Sequence, residues 1–217
     1  MIINQALNGS TSLHLAVCRD SGLESIRLLL QHGADMEVVC NKSCTPVHLV
    51  IRCWDLCCLR AFIDAEFDTN IRAGIGVDFG RTILYEAIYV AAREGKEMIV
   101  YLFDHESKKE VINLQADNGL MPLHLAAGCG RFINLVDPLY GENEEKLTQR
   151  WESLAVKLLI QNNTNLRIKG NIGNSSAHIA AYRGDVSHMQ PLKDSVLDFN
   201  NRGLCNRTIL HAVVFGR

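Results

Sequence analysis

Leu13-His14-Leu15-Ala16, followed after eight intervening residues by Ser25-Ile26-Arg27-Leu28-Leu29-Leu30-Gln31-His32-Gly33-Ala34, decides how this chain folds. Ile26, Leu29 and Leu30 stand at i, i+3 and i+4, which places them on one face of a helix. Gly33 then supplies a residue that can turn left-handed and end that helix. The first half returns unchanged at Leu123-His124-Leu125-Ala126. It returns altered at Val47-His48-Leu49-Val50, Leu84-Tyr85-Glu86-Ala87, Ala177-His178-Ile179-Ala180 and Leu210-His211-Ala212. Steps between successive motif centres are 34, 37, 39, 54 and 33 residues. A period near 33 is the mark of a stacked-repeat solenoid, in which each unit buries its apolar face only against its neighbours. Such an array offers a long surface and no enclosed pocket.

The second half recurs as well. Ala155-Val156-Lys157-Leu158-Leu159-Ile160 repeats the leucine pair, with Asn162 or Asn163 where the glycine stood. The two halves recurring together, in order, resemble the ankyrin repeat family, in which Thr-Pro-Leu-His opens a first helix and a leucine pair closes a second. The resemblance covers essentially the whole chain. It implies an all-α fold, a solenoid of about six stacked helix-turn-helix repeats with an insertion in the fourth. The expected repeats are 8–40, 41–77, 78–116, 117–170, 171–203 and a partial 204–217, in one domain.

Local chemistry supports the helix starts. Thr45 can cap with its hydroxyl, and Pro46 fits the first helical position, where no N–H is needed. Thr11, Thr82 and Thr208 can cap likewise. The resemblance implies that the motif histidines hydrogen-bond backbone between repeats, so they are expected to be structural. Tyr85 replaces one of them, Val50 is bulky where alanine is usual, and Trp54 stands where a glycine normally ends the first helix. An irregular stack is expected there. Leu29, Leu123 and Leu158 are expected to be buried between repeats.

Composition narrows the function. A net charge of −2 provides no general pull toward nucleic acid or anionic membrane, and no apolar run approaches the ~18 residues of a membrane span. The start Met1-Ile2-Ile3-Asn4 lacks the basic and apolar regions of a signal peptide. Eight cysteines at scattered positions suit reduced thiols in the cytoplasm, or in the nucleus. Cys40, Cys44 and His48 are loosely spaced for a metal site, so packing is the preferred reading and no cofactor is expected. Gly74-Ile75-Gly76 with Gly80 lacks the strand before and the Gly-Lys-Ser/Thr after that a phosphate loop needs. No nucleophile–base arrangement is evident, and no enzyme or small-molecule substrate is expected. Neither end shows a clear polar cap, so the chain is expected to be a piece cut from a longer protein, or else a native start with an abbreviated cap.

A partner protein is the expected ligand. The family geometry implies binding on the concave face, built from hairpin tips and first-helix ends. The candidate contacts are Arg52, Phe79, Arg81, Tyr89, Leu120, Tyr182, Arg183 and Arg207. The insert near 134–150 adds Tyr140, with Trp151 just beyond, because aromatic side chains dominate interface energies and inserts map to loops on one face. The resemblance leaves two narrower roles open. One is an inhibitor of a transcription factor, as in the IκB type, which also has irregular repeats with long inserts. The other is a regulatory segment of a larger channel, enzyme or ubiquitin-ligase adaptor.

Overall fold

The computed structural model describes residues 4, 9–19, 22–73, 80–90, 96–105, 111–129, 154–184, 186–195 and 198–215. Phe79, Tyr140, Trp151 and the insert at 134–150 lie outside the described residues, as do the glycines at 74–76.

Helices come in antiparallel pairs, and each pair starts and stops for local reasons. Helix α1 (Ser12–Val17) begins at Thr11, whose hydroxyl accepts the His14 N–H. Helix α2 (Leu23–Gln31) follows after a tight turn at Gly22, where a Cβ would fall 2.0 Å from the Ala16 carbonyl oxygen. Only glycine fits that approach. Helix α3 (Pro46–Cys53) is capped by Thr45, with Pro46 in its first turn. Trp54 closes it at φ 59°, taking the left-handed position as the sequence suggests. Asp55 caps α4 (Leu56–Asp64) by accepting the Cys58 N–H.

Helices α5 (Ile83–Val90) and α6 (Lys96–His105) form the next pair. Then α7 (Pro122–His124) runs directly into a π-helical turn, Leu125–Cys129. Helix α8 covers 154–161 and ends at Asn163, φ 61°. Helices α9 (Ser176–Arg183), α10 (Val186–Asp194) and α11 (Ile209–Phe215) complete the chain.

First helices stack as α1, α3, α5, the π turn, α9 and α11, each against the next. Second helices follow suit in α2, α4 and α6. Isolated bridges close the hairpins between pairs, at Ala73 with Arg81, Lys169 with Ser175 and Arg202 with Thr208. No longer strand occurs among the described residues. The core is one continuous column from Leu13 to Ile209. Burial corrects one expectation. Leu123 is fully buried, but Leu29 and Leu158 are only half-buried, and Ile26 and Leu159 fill the interior instead. The inner edge of each second helix is therefore one residue later than expected at Leu158, and three earlier at Leu29.

A ladder of histidines ties the stack together. Nδ1 of His14 accepts the Thr11 N–H at 3.2 Å, and its Nε2 donates to the Cys44 carbonyl at 3.0 Å. Nε2 of His48 donates to the Arg81 carbonyl at 3.1 Å, and that of His178 to the Arg207 carbonyl at 3.2 Å. A carbonyl can only accept, so Nε2 carries the proton; in His14 the Nδ1 accepts an N–H and the ring is neutral, and burial lowers the pKa of all three rings. The ladder slackens at His124, whose buried Nε2 makes no hydrogen bond of normal geometry. Burial lowers its pKa to about 4, with the Asn174 and Ile168 carbonyls opposing.

Candidate functional site: the concave face

The residue four positions after each motif centre ends a first helix and faces the hairpin side. Along the stack this position reads Cys18, Arg52, Tyr89, Gly128, Tyr182 and Phe215. Four positions before the centre lies the last hairpin residue: Cys44, Arg81, Leu120, Asn174 and Arg207 in the later units. The two positions meet across each unit, and this meeting builds the site.

In the third unit the Arg81 guanidinium lies 4.4 Å from the Tyr89 ring centre. In the last unit Arg207 lies 4.3 Å from the ring of Phe215. Guanidinium over an aromatic face is attractive through the ring quadrupole. The same pairing in the same register, from unrelated flanking residues, shows that the position is geometrically equivalent.

Glu86 is the electrostatic centre of the third unit. It is almost wholly buried, and both its oxygens are used. Arg52 Nε donates to Oε1 at 2.6 Å, and Arg81 donates to Oε2 at 2.9 Å. Burial opposes its ionisation, but Arg52 and Arg81 together outweigh that and hold the carboxyl below its ordinary range. The bond from Arg52 links α3 to α5, so the triad also fixes how two units meet.

The candidate residues divide accordingly. Arg52 is about half exposed and Tyr182 is 48% exposed, both available to a partner. Arg207 is exposed, while Tyr89 and Leu120 are half-buried. Arg183 is half-buried against Gly128, where φ is 123° and a Cβ would come 2.6 Å from the Arg183 Cδ. Arg81 is a correction. Only 4% exposed, it serves Glu86 and the two tyrosines rather than offering a contact surface. Its backbone is spent as well, since its carbonyl accepts from His48.

Glu86 and Phe215 were not among the candidates. Phe215 had a signal, in the register of aromatic or Arg four after the motif centre, which needs the repeat alignment to be seen; Glu86, one after its centre, lies outside that register. Hairpins add exposed apolar tips at Ile172 and Leu204. Neighbouring hairpins are cross-linked: Asn171 Nδ2 donates to the Asp117 carbonyl at 2.9 Å, and Lys169 Nζ to the Arg202 carbonyl at 2.7 Å.

Cys40, Cys44 and His48 do not frame a metal site. His48 uses Nδ1 on the Thr45 hydroxyl at 2.7 Å and Nε2 on Arg81, so neither nitrogen is left for a metal beside Cys40 and Cys44. Among the described residues no group of three His, Cys, Asp or Glu gathers at ligating distance, and no helix is long and apolar enough to cross a membrane.

Residues 8–41 match the family model of the ankyrin repeat. No curated protein sequence matches the chain. Among solved structures, the ankyrin repeat domain of Bcl-3, described as a unique member of the IkappaB protein family, has a TM-score of 0.75 at 24% identity, covering 98% of this chain and 81% of that one. EF0377, an ankyrin repeat protein, has a TM-score of 0.68 at 21% identity, over 89% of this chain and 84% of that one. The human ASB11 ankyrin repeat domain has a TM-score of 0.67 at 15% identity, over 100% and 87%. Family match, histidine ladder and whole-chain likeness agree: residues 8–41 are an ankyrin repeat, and the chain as a whole has the ankyrin-repeat fold.

Proposed function

We propose that this chain is a non-enzymatic scaffold that binds a partner protein along its concave face. The observation that carries the reading is the column Arg52, Tyr89, Tyr182 and Phe215, set at one position of four units and interrupted by Gly128 in the fourth. Arginine and tyrosine are the residues most enriched where interface energy concentrates. Tyr182 is 48% exposed and Phe215 54%, so burial in the core does not account for either. A cytoplasmic or nuclear setting fits the free thiols. The two narrower roles, inhibitor of a transcription factor and regulatory segment of a larger protein, are forms of the same reading. The likeness to Bcl-3 is one of fold and favours neither.

The test uses a partner captured with the intact chain. Tyr182→Ala combined with Arg183→Ala is expected to weaken that partner by ~10-fold or more, if each loses ~1 kcal/mol. Deleting 134–150 is expected to change affinity less. Normal binding by the double variant, with loss on deletion, would assign the partner to the insert instead.

A further inference from the structure

We propose that the segment seated on the concave face is acidic: an extended stretch of the partner protein with Asp or Glu at about every third residue. This rests on the concave-face reading above and adds the chemistry of the partner.

The chain as a whole is slightly acidic, at −2. The concave face is not. Among the described residues its first-helix ends and hairpins carry Arg19, Arg52, Arg183, Arg202 and Arg207, against Asp117, while the enclosed Arg81 is spent on Glu86. Glu86 is already shared by two guanidiniums. The turns that follow the second helices lean the other way, with Asp35, Glu37, Glu66, Asp68 and Asp198 against Arg72 and Arg167. The face is thus cationic within an acidic molecule.

Arg52 is built as a receptor. Its Nε is anchored on the buried Glu86 at 2.6 Å, while the side chain is 44% exposed. The anchor orients the guanidinium. Its terminal amino groups have no hydrogen-bond acceptor among the described residues, and they form the edge that takes a carboxylate in two parallel bonds. Holding the group in place beforehand removes part of the ordering cost of binding. At the other end, Arg207 is held against Phe215 in the same way, by stacking. Between them, Gly128 leaves its unit without a side chain, and Arg183 lies across that gap.

Spacing sets the pattern. Stacked helices lie about 8–10 Å apart, and an extended chain advances about 3.3 Å per residue. Cations one unit apart would therefore meet acids about three residues apart; the third unit, where Arg81 is enclosed, offers none of its own among the described residues. Nucleic acid is the poorer match, because single-strand binders need a continuous basic groove and here the cations are single.

The experiment titrates the intact chain into a labelled peptide of ~15 residues, Glu at every third position among Gly and Ser, followed by fluorescence anisotropy. Saturable binding is expected, weakening several-fold as salt rises from about 50 to about 300 mM. Arg52→Gln and Arg207→Gln should each weaken it several-fold. Arg27→Gln, on α2, should not. Arg207 has no ion pair among the described residues, so its variant keeps the test valid if Arg52→Gln perturbs folding. Absence of binding, equal weakening by Arg27→Gln, or tighter binding of a Lys-substituted peptide or of a single-stranded oligonucleotide would each overturn the proposal. If the acidic peptide fails while Tyr182→Ala with Arg183→Ala still releases a captured partner, the charge inference alone falls. If both fail, so does the concave-face reading.

Discussion

Arg81 and Glu86 form an ion pair at 2.9 Å with side chains only 5% and 1% exposed. Five residues apart, they join the base of a hairpin to the first turns of α5, and Glu86 also receives Arg52 from the preceding unit. Replacing one member of such a pair leaves a charge that neither water nor protein compensates. Glu86→Gln is expected to destabilise the fold by about 3–5 kcal/mol, read from denaturant unfolding. Replacing Arg81 and Glu86 together by Met and Leu should recover much of that loss. A Glu86→Gln variant as stable as the parent would show that the triad is not coupled to folding.

Acid should loosen the stack in a defined window. Burial lowers the pKa of His14, His48 and His178, and that of His124 to about 4, from an ordinary 6.5. Below pH 6.5 the unfolded chain binds protons that the folded chain excludes. Stability is therefore full above about pH 6.5 and falls as pH drops toward 4, by about 3 kcal/mol for His124 alone. Glu86 acts lower still. Its depressed carboxyl contributes above its ordinary range, and that contribution is lost as pH falls through the folded value. Urea midpoints that stay level between pH 7.5 and 5 would contradict this account.

Neighbouring leucines should differ sharply. Leu159 is fully buried and Leu158 only partly. Leu159→Ala is expected to cost about 2–5 kcal/mol through lost burial and the cavity left behind. Leu158→Ala should cost clearly less. On α2, Leu28 is 56% exposed, and Leu28→Ala should stay within about 0.5 kcal/mol. Thermal melts of the three variants decide the order.

Thiol labelling should separate adjacent cysteines. Cys58 is buried and its thiol donates to the Asp55 carboxylate at 3.0 Å. Burial and that carboxylate push it up to about 12. Cys57, one residue earlier, is exposed, as are Cys18 and Cys205. Because the thiolate is the reactive form, a maleimide at neutral pH should modify Cys57, Cys18 and Cys205 well before Cys58. Mass mapping that finds Cys58 among the first sites would refute the assignment.

The helices, their caps and their stacking order were legible in the amino-acid sequence, because each depends on residues close together in the chain. Thr45 with Pro46 starts α3 and Trp54 ends it by local backbone preference alone. The recurrence of His14, His48, His124 and His178 likewise prescribes neighbours, since a repeat can bury its apolar face only on the next repeat. Burial and pairing across units were not legible. The groups around Arg81 stand close in the chain, at Tyr85, Glu86 and Tyr89, but the sequence does not show that its guanidinium lies against them and is enclosed. Nor could the leucine pair alone tell which member faces inward, because a small rotation of the second helix exchanges Leu158 for Leu159. The long-range contact of Arg52 with Glu86, 34 residues away, exists only once two units have stacked, so the anchored guanidinium of the concave face is a product of tertiary structure.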